Sequence, residues 1–301
     1  MQFIIQQTLN ALQLGSVYAL IALGYTMVYG ILRMINFAHG DIFMLSTYMA
    51  FFAASFFLSS ALNLPRLLVF VLTIIVAMLG TALVAVFIER VAYRPLRQAP
   101  RLSVVITALG IGLVLENLTL AVIGPEPRIL PQLIPAANFN LGGVTISTIQ
   151  IMILAISAVV MLILDAIVRK TMTGMAMRAI SFDKAVVPLM GVPLDRIVSI
   201  TFALGSSMAA VGGTMYGIAY MIDPYMGIRI GWWAFISAVV GGIGNIRGAM
   251  VGGYILGFVE IFVAAYLPST YRDLIVFALL LTLLVFKPTG IMGTSVVQQK
   301  V

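Results

Sequence analysis

Two carboxylates stand where carboxylates are costly. Glu116 falls deep in an apolar run near 103–123, and Glu260 deep in another near 248–267. An ionisable group at such depth in a membrane usually faces the protein interior. It then lines a polar pathway or pairs across helices, and the sequence leaves both readings open. Glu89, Asp41 and Asp165 stand nearer the ends of apolar runs, where capping or snorkelling accounts for them. Arg90, Arg94, Arg97 and Arg101 recur at spacings of four, three and four, which on a helix is one face. Pro95 and Pro100 oppose a regular helix through that stretch. Such a basic stripe serves as an anchor on anionic lipid or as a docking surface for a cytoplasmic partner.

Other chemistries are excluded by absent residues. No Gly-x-x-x-x-Gly-Lys-Ser/Thr phosphate loop occurs, and none of the four lysines follows a glycine, so ATP hydrolysis by this chain alone is not expected. Cysteine is absent and His39 is the single histidine, which removes thiol nucleophiles, disulfides and paired-histidine zinc sites. Gly205-Ser206-Ser207 has the look of a serine nucleophile on a membrane helix, but His39 is its sole possible imidazole and lies far away in sequence. An Asn-Pro-Ala channel signature is missing. Small residues recur at helical spacing in Gly205, Ala209, Gly213 and Gly217, and again in Gly244, Gly248, Gly252, Gly253 and Gly257. They read first as close-packing faces, and second as mobile helices around a pathway.

The elements that must position these groups are membrane helices. The 301 residues are 62% hydrophobic and 9% charged, far from the roughly 25% charged residues of a soluble domain. Runs of about 20 apolar residues fall at 9–32, 42–62, 67–88, 103–123, 148–168 and 197–220. Three shorter segments follow at 232–246, 248–267 and 273–287, and the glycine-rich stretch among them reads as a short span and a turn or as a re-entrant pair. Eight or nine spans are expected. The first ten residues, with no basic region and no small-residue cleavage site, read as part of a retained span rather than a signal peptide.

Basic residues orient the chain. With the N-terminus outside and nine spans, the cytoplasmic side receives Arg33, Arg90, Arg94, Arg97, Arg101, Arg169, Lys170, Arg178, Lys184, Arg196, Arg247, Lys287 and Lys300, which is 13 of the 17 Lys and Arg. Arg66, Arg128, Arg229 and Arg272 remain outside. The net charge of +7 is thus topology and not a nucleic-acid face. The outer loop, 124–147, is proline-rich and ends in a hairpin signal around Gly142-Gly143. The inner loop, 171–196, predicts a short amphipathic helix within 175–187, ended by Pro188 and Gly191.

Six strings in order resemble the permease subunit of branched-chain amino acid ABC importers, the LivH type. They are Asn36-Phe37-Ala38-His39-Gly40 within the first long stretch, Ile88 to Arg97, Thr173 to Ala179 with Asp183 and Met190-Gly191-Val192, Asp223-Pro224 with Gly227, Gly241 to Gly244 with Gly248-Ala249, and Lys287 to Ile291. The resemblance covers nearly the whole chain. It implies an all-α polytopic fold, with 1–301 as a single transmembrane permease domain in a bacterial inner membrane. It implies a dimer with a second related permease (LivM type) or with itself, two cytoplasmic ATPase subunits that bind the ATP, and a periplasmic amino-acid-binding protein. No cofactor of the chain's own is implied.

By the same resemblance the inner loop is the ATPase coupling loop, with Gly174, Arg178, Asp183, Lys184 and Gly191. The family's Glu-Ala-Ala-x-x-x-Gly pattern is kept here plainly only at Gly191, since the stretch reads Ala185-Val186-Val187-Pro188-Leu189-Met190-Gly191. Transport would proceed by alternating access, with solute selectivity resting largely on the binding protein and no deep, rigid amino-acid site in this chain. Asn36, His39, Thr107, Glu116, Asn117, Ser237 and Glu260 are the candidate pathway groups. Rival readings are an ion-driven secondary transporter using Glu116 or Glu260 and a passive membrane scaffold. Neither rival explains the ordered strings.

Overall fold

The computed structural model describes residues 1–60, 63–268 and 270–293. The end of the second expected span at 61–62, and Lys300, lie outside the described residues. Among the described residues ten α-helices, one π-helical turn, one 3-10 turn and one hairpin follow in order. The membrane helices are α1 (Gln2–Leu32), α2 (His39–Ser59), α3 (Arg66–Ile88), α4 (Arg101–Ile123), α5 (Thr148–Lys170), α7 (Leu194–Ala219), α8 (Met226–Gly241), α9 (Ile246–Tyr266) and α10 (Tyr271–Phe286). The short α6 (Met172–Phe182) lies between α5 and α7. Among the described residues seven helices are long and apolar enough to cross a membrane, the α3 span running on to Tyr93.

The two 16-residue helices, α8 and α10, run between the same two ends. At one end Arg229 near the start of α8 pairs with Asp223 at 2.9 Å, and Arg272 at the start of α10 pairs with Glu260 at 3.0 Å. At the other end Ile291 and Met292, just past α10, donate to the carbonyls of Val240 and Gly241, each at 2.9 Å. Arg247 there meets Asp165 of α5 at 3.1 Å. The glycine-rich segment is therefore a traverse, a turn and a second traverse. Gly242 and Gly244 take positive φ in the turn, and Asn245 caps α9 by accepting from the Gly248 amide at 3.2 Å.

α1 is the axis of the bundle. It packs most extensively on α9 and α7, with α8 and α5 completing its sheath. Apolar burial drives little helix association in lipid, so close backbone approach must. The glycine faces supply it inside the chain. Gly205 lies on Gly24, Gly213 on Ser46 and Thr47, Gly253 on Ala19, and Gly257 on Gly15. On the outer side β1 (Asn138–Leu141) and β2 (Val144–Ser147) form the expected hairpin, with Gly142 and Gly143 both at positive φ as a two-residue primed turn requires. Gln2 and Gln6 of α1 bond this hairpin at Gly142 and Thr145.

One connection runs inside the bundle. α1 ends at Arg33 in the left-handed conformation (φ 53°), and residues 33–38 fold back into the bundle. The Ala38 backbone and the Asp41 carboxylate lie against Gly112, the middle of α4, while the His39 ring reaches Gly24, more than two turns before α1 ends. α2 thus starts inside the bundle, an irregular start tolerated there because protein covers it.

Candidate functional site

The first candidate region is the end of the bundle that carries α6, the end expected to be cytoplasmic from its basic residues. Thr171 caps α6 by accepting from the Gly174 amide at 3.1 Å. A Cβ on Gly174 would strike the Ile167 and Val168 carbonyls, so only glycine lets α6 turn this tightly off α5. Arg178 donates to that same Val168 carbonyl. Lys184 donates to the carbonyl of Leu32, and Arg33 to that of Ser181 at 3.1 Å, which fastens α6 to the end of α1. Burial, then the charges of Arg33, Arg97 and Arg101, hold the Lys184 amine below its usual pKa. Asp183 accepts from the amides of Ala185 (2.8 Å) and Val186 (3.1 Å), ending α6 at Phe182. This local turn is why the helix covers 172–182 rather than extending to 187; a separate 3-10 turn, Val187–Met190, follows, and Gly191 closes it at φ 80°. The tip so formed exposes Phe182 (88%), Leu189 (85%) and Met190 (78%).

The basic stripe does not form one continuous face. A π-helical turn, Glu89–Tyr93, and further turns through 99 replace the helix. Arg94 and Arg97 both pair with Asp195 of α7, and Arg97 also pairs with Glu89, leaving Arg90 and Arg101 exposed. Glu89 is fully buried and accepts from Ser199 at 2.7 Å. It is a paired structural acid and not a snorkelling one.

The second region surrounds the start of α2. Asn36 accepts from the Tyr93 hydroxyl at 2.5 Å. The His39 ring packs edge-on against Tyr25, centroids 4.8 Å apart, and neither ring nitrogen has a partner. Asp41 is 5% exposed and Glu116, one turn from Gly112 on α4, is 8% exposed. Asp41 Oδ1 and Glu116 Oε2 are buried without a hydrogen-bond partner. Asp41 is thus not an end-of-span cap but a buried acid beside a second one.

With this architecture in hand, the chain can be set beside known proteins. A family model described as the branched-chain amino acid transport system / permease component matches residues 7–284. The chain belongs to this permease family. It is 40% identical to "High-affinity branched-chain amino acid transport system permease protein LivH" of Escherichia coli (strain K12), over 99% of this chain and 98% of the relative. It is 41% identical to the corresponding permease protein BraD of Pseudomonas aeruginosa over 98% and 97%. A "probable branched-chain amino acid transport permease protein LivH" of Methanocaldococcus jannaschii is 28% identical over 95% and 91%.

The other candidate residues of the permease fall into distinct places. Glu260 accepts from the buried Tyr18 hydroxyl and pairs with Arg272 at the start of α10. Ser237 is buried and spends its hydroxyl on the Trp233 carbonyl at 2.8 Å. Asn117 is exposed on α4 and donates to the Leu113 carbonyl of its own helix, while Thr107 is half-buried. Tyr18, Asp195 and Ser199 are not singled out by the sequence, and Asp41 reads there only as a capping or snorkelling acid. Gly227 and Gly231, four apart in α8, carried a usable signal for Asp41: both pack on the start of α2, beside it.

Proposed function

We propose that this permease is a membrane-spanning subunit of an ATP-driven importer of branched-chain amino acids, leucine, isoleucine or valine, in a bacterial inner membrane. Its assembly contains a second related permease or a second copy, two cytoplasmic ATPases and a soluble amino-acid-binding protein on the outer side. The near full-length match to a transport permease family supports this, as does a sequence without a phosphate loop. The single observation that carries the energy-coupling part is the exposed apolar tip of α6 and the turn after it, Phe182, Leu189 and Met190, held rigidly over the ends of α1 and α5. A tip of this kind suits insertion into a cleft on a partner. Closure of the ATPases would push α6, and the Lys184, Arg33 and Arg178 bonds would pass that movement to α1 and α5. The chain then converts ATP-driven closure elsewhere into a change in which side of the bundle is open.

Uptake of radiolabelled leucine into proteoliposomes tests this. The expected result is uptake only by the full set of permeases, ATPases and binding protein, lost when ATP or the binding protein is omitted. Uptake by this chain alone under a proton or sodium gradient would overturn the reading.

A further inference from the structure

Between α2, α4 and α8 lies a cavity of about 240 Å³ whose mouth opens beside the half-exposed Leu109, Leu113 and Trp232. Phe37, Trp232 and Phe235 form one wall, each ring 5.6–5.8 Å from the others. The cavity's one carboxylate is Asp41, and no Arg, Lys or His is among its lining residues. Gly227 and Ile228, in the first turn of the 16-residue α8, line it too. First-turn amides of a helix lack intrahelical partners and carry partial positive charge. The site thus offers an unpartnered buried acid, a helix start and an aromatic-aliphatic wall within one small volume. An inorganic cation would have no use for the wall. A lipid tail would have no use for the acid, and a simple anion would be repelled by it.

We propose that this cavity is a transit site for an amino-acid zwitterion with a branched apolar side chain. Asp41 takes the ammonium, the start of α8 takes the carboxylate, and Phe37, Leu113, Trp232 and Phe235 take the side chain. The proposal rests on the amino-acid permease reading and adds to it a place inside this chain where the solute is held. The small volume and the single acid suit a weak site, as passage requires occupancy that is easily reversed.

The experiment uses the complete reconstituted transporter. Loss of one charge-assisted contact costs about tenfold or more, so Asp41→Asn is expected to lower leucine uptake by at least that factor. Because the chain has no cysteine, Leu113→Cys provides a unique thiol at the mouth. Leucine should slow its alkylation by a small membrane-permeant maleimide, and 4-methyl-2-oxopentanoate, the same skeleton without the ammonium, should not. Wild-type uptake by the Asp41→Asn complex would overturn the proposal. So would alkylation that leucine leaves unchanged or that the oxo acid slows equally. If the Asp41→Asn complex does not assemble, the alkylation result decides. A wild-type assembly that takes up no amino acid would instead remove the permease reading, and the transit site with it.

Discussion

Buried acids occur in this bundle in two states, and the contrast separates holding from handling. Glu89 and Glu260 are satisfied: one by Arg97 and Ser199, the other by Arg272 and Tyr18. Each joins helices that are far apart in sequence, α7 to the end of α3 and α1 to α9. Asp41 and Glu116 are equally hidden, yet each keeps a carboxylate oxygen with no partner. A buried charge is costly without compensation. The first pair therefore ties helices together, while the second taxes the frame; for Asp41 the proposed zwitterion would supply the missing partner.

Four changes test that contrast, in order of their effect on the chain's own stability. Glu89→Ala leaves Arg97 with Asp195 alone and Ser199 without its acceptor; two charge-assisted bonds are lost, and it should destabilise by about 3–6 kcal/mol, read as a large fall in melting temperature in detergent. Tyr18→Phe removes a hydrogen bond to a carboxylate, at about 1.5–3 kcal/mol; an unchanged melting curve would show that Arg272 alone satisfies Glu260. Asp41→Asn should leave the melting temperature unchanged or raise it, since it removes a charge that nothing pairs. A loss as large as that of Glu89→Ala would place Asp41 among the structural acids and erase the distinction. Phe182→Ser with Leu189→Ser should alter chain stability by less than about 0.5 kcal/mol. The same pair should weaken capture of the proposed partner ATPase by about 30-fold for each anchor side chain, at about 2 kcal/mol apiece.

Much of the frame was legible because lipid imposes a simple rule: long apolar runs become helices. Each expected run is helical over most of its described residues, although 232–246 breaks at Gly242 into a turn, and the hairpin at Gly142-Gly143 followed from the need for two positive φ angles. What escaped were places where tertiary contacts overrule local pattern. Residues 33–41 mix polar and apolar side chains between two apolar runs, and nothing local says that they fold inward against Gly112. Spacing alone put four arginines on one face; Pro95, Pro100 and the pull of Asp195 and Glu89 divided them. The short helix of the inner loop starts earlier than 175 because Gly174, lacking a side chain, fits its first turn against the end of α5.

The central position of α1 also has a consequence in time. Nearly nine-tenths of its apolar stretch is covered by the rest of the chain, and its closest neighbour, α9, is synthesised near the end. Gly253 meets Ala19, so at about 5–20 residues per second on the ribosome the first helix waits roughly 10–50 seconds for that partner. During that interval Ser16, Tyr18 and Thr26, all enclosed in the finished bundle, face lipid or whatever attends the nascent chain. Among the described helices α1 precedes all the others, and its enclosure depends on the arrival of α9.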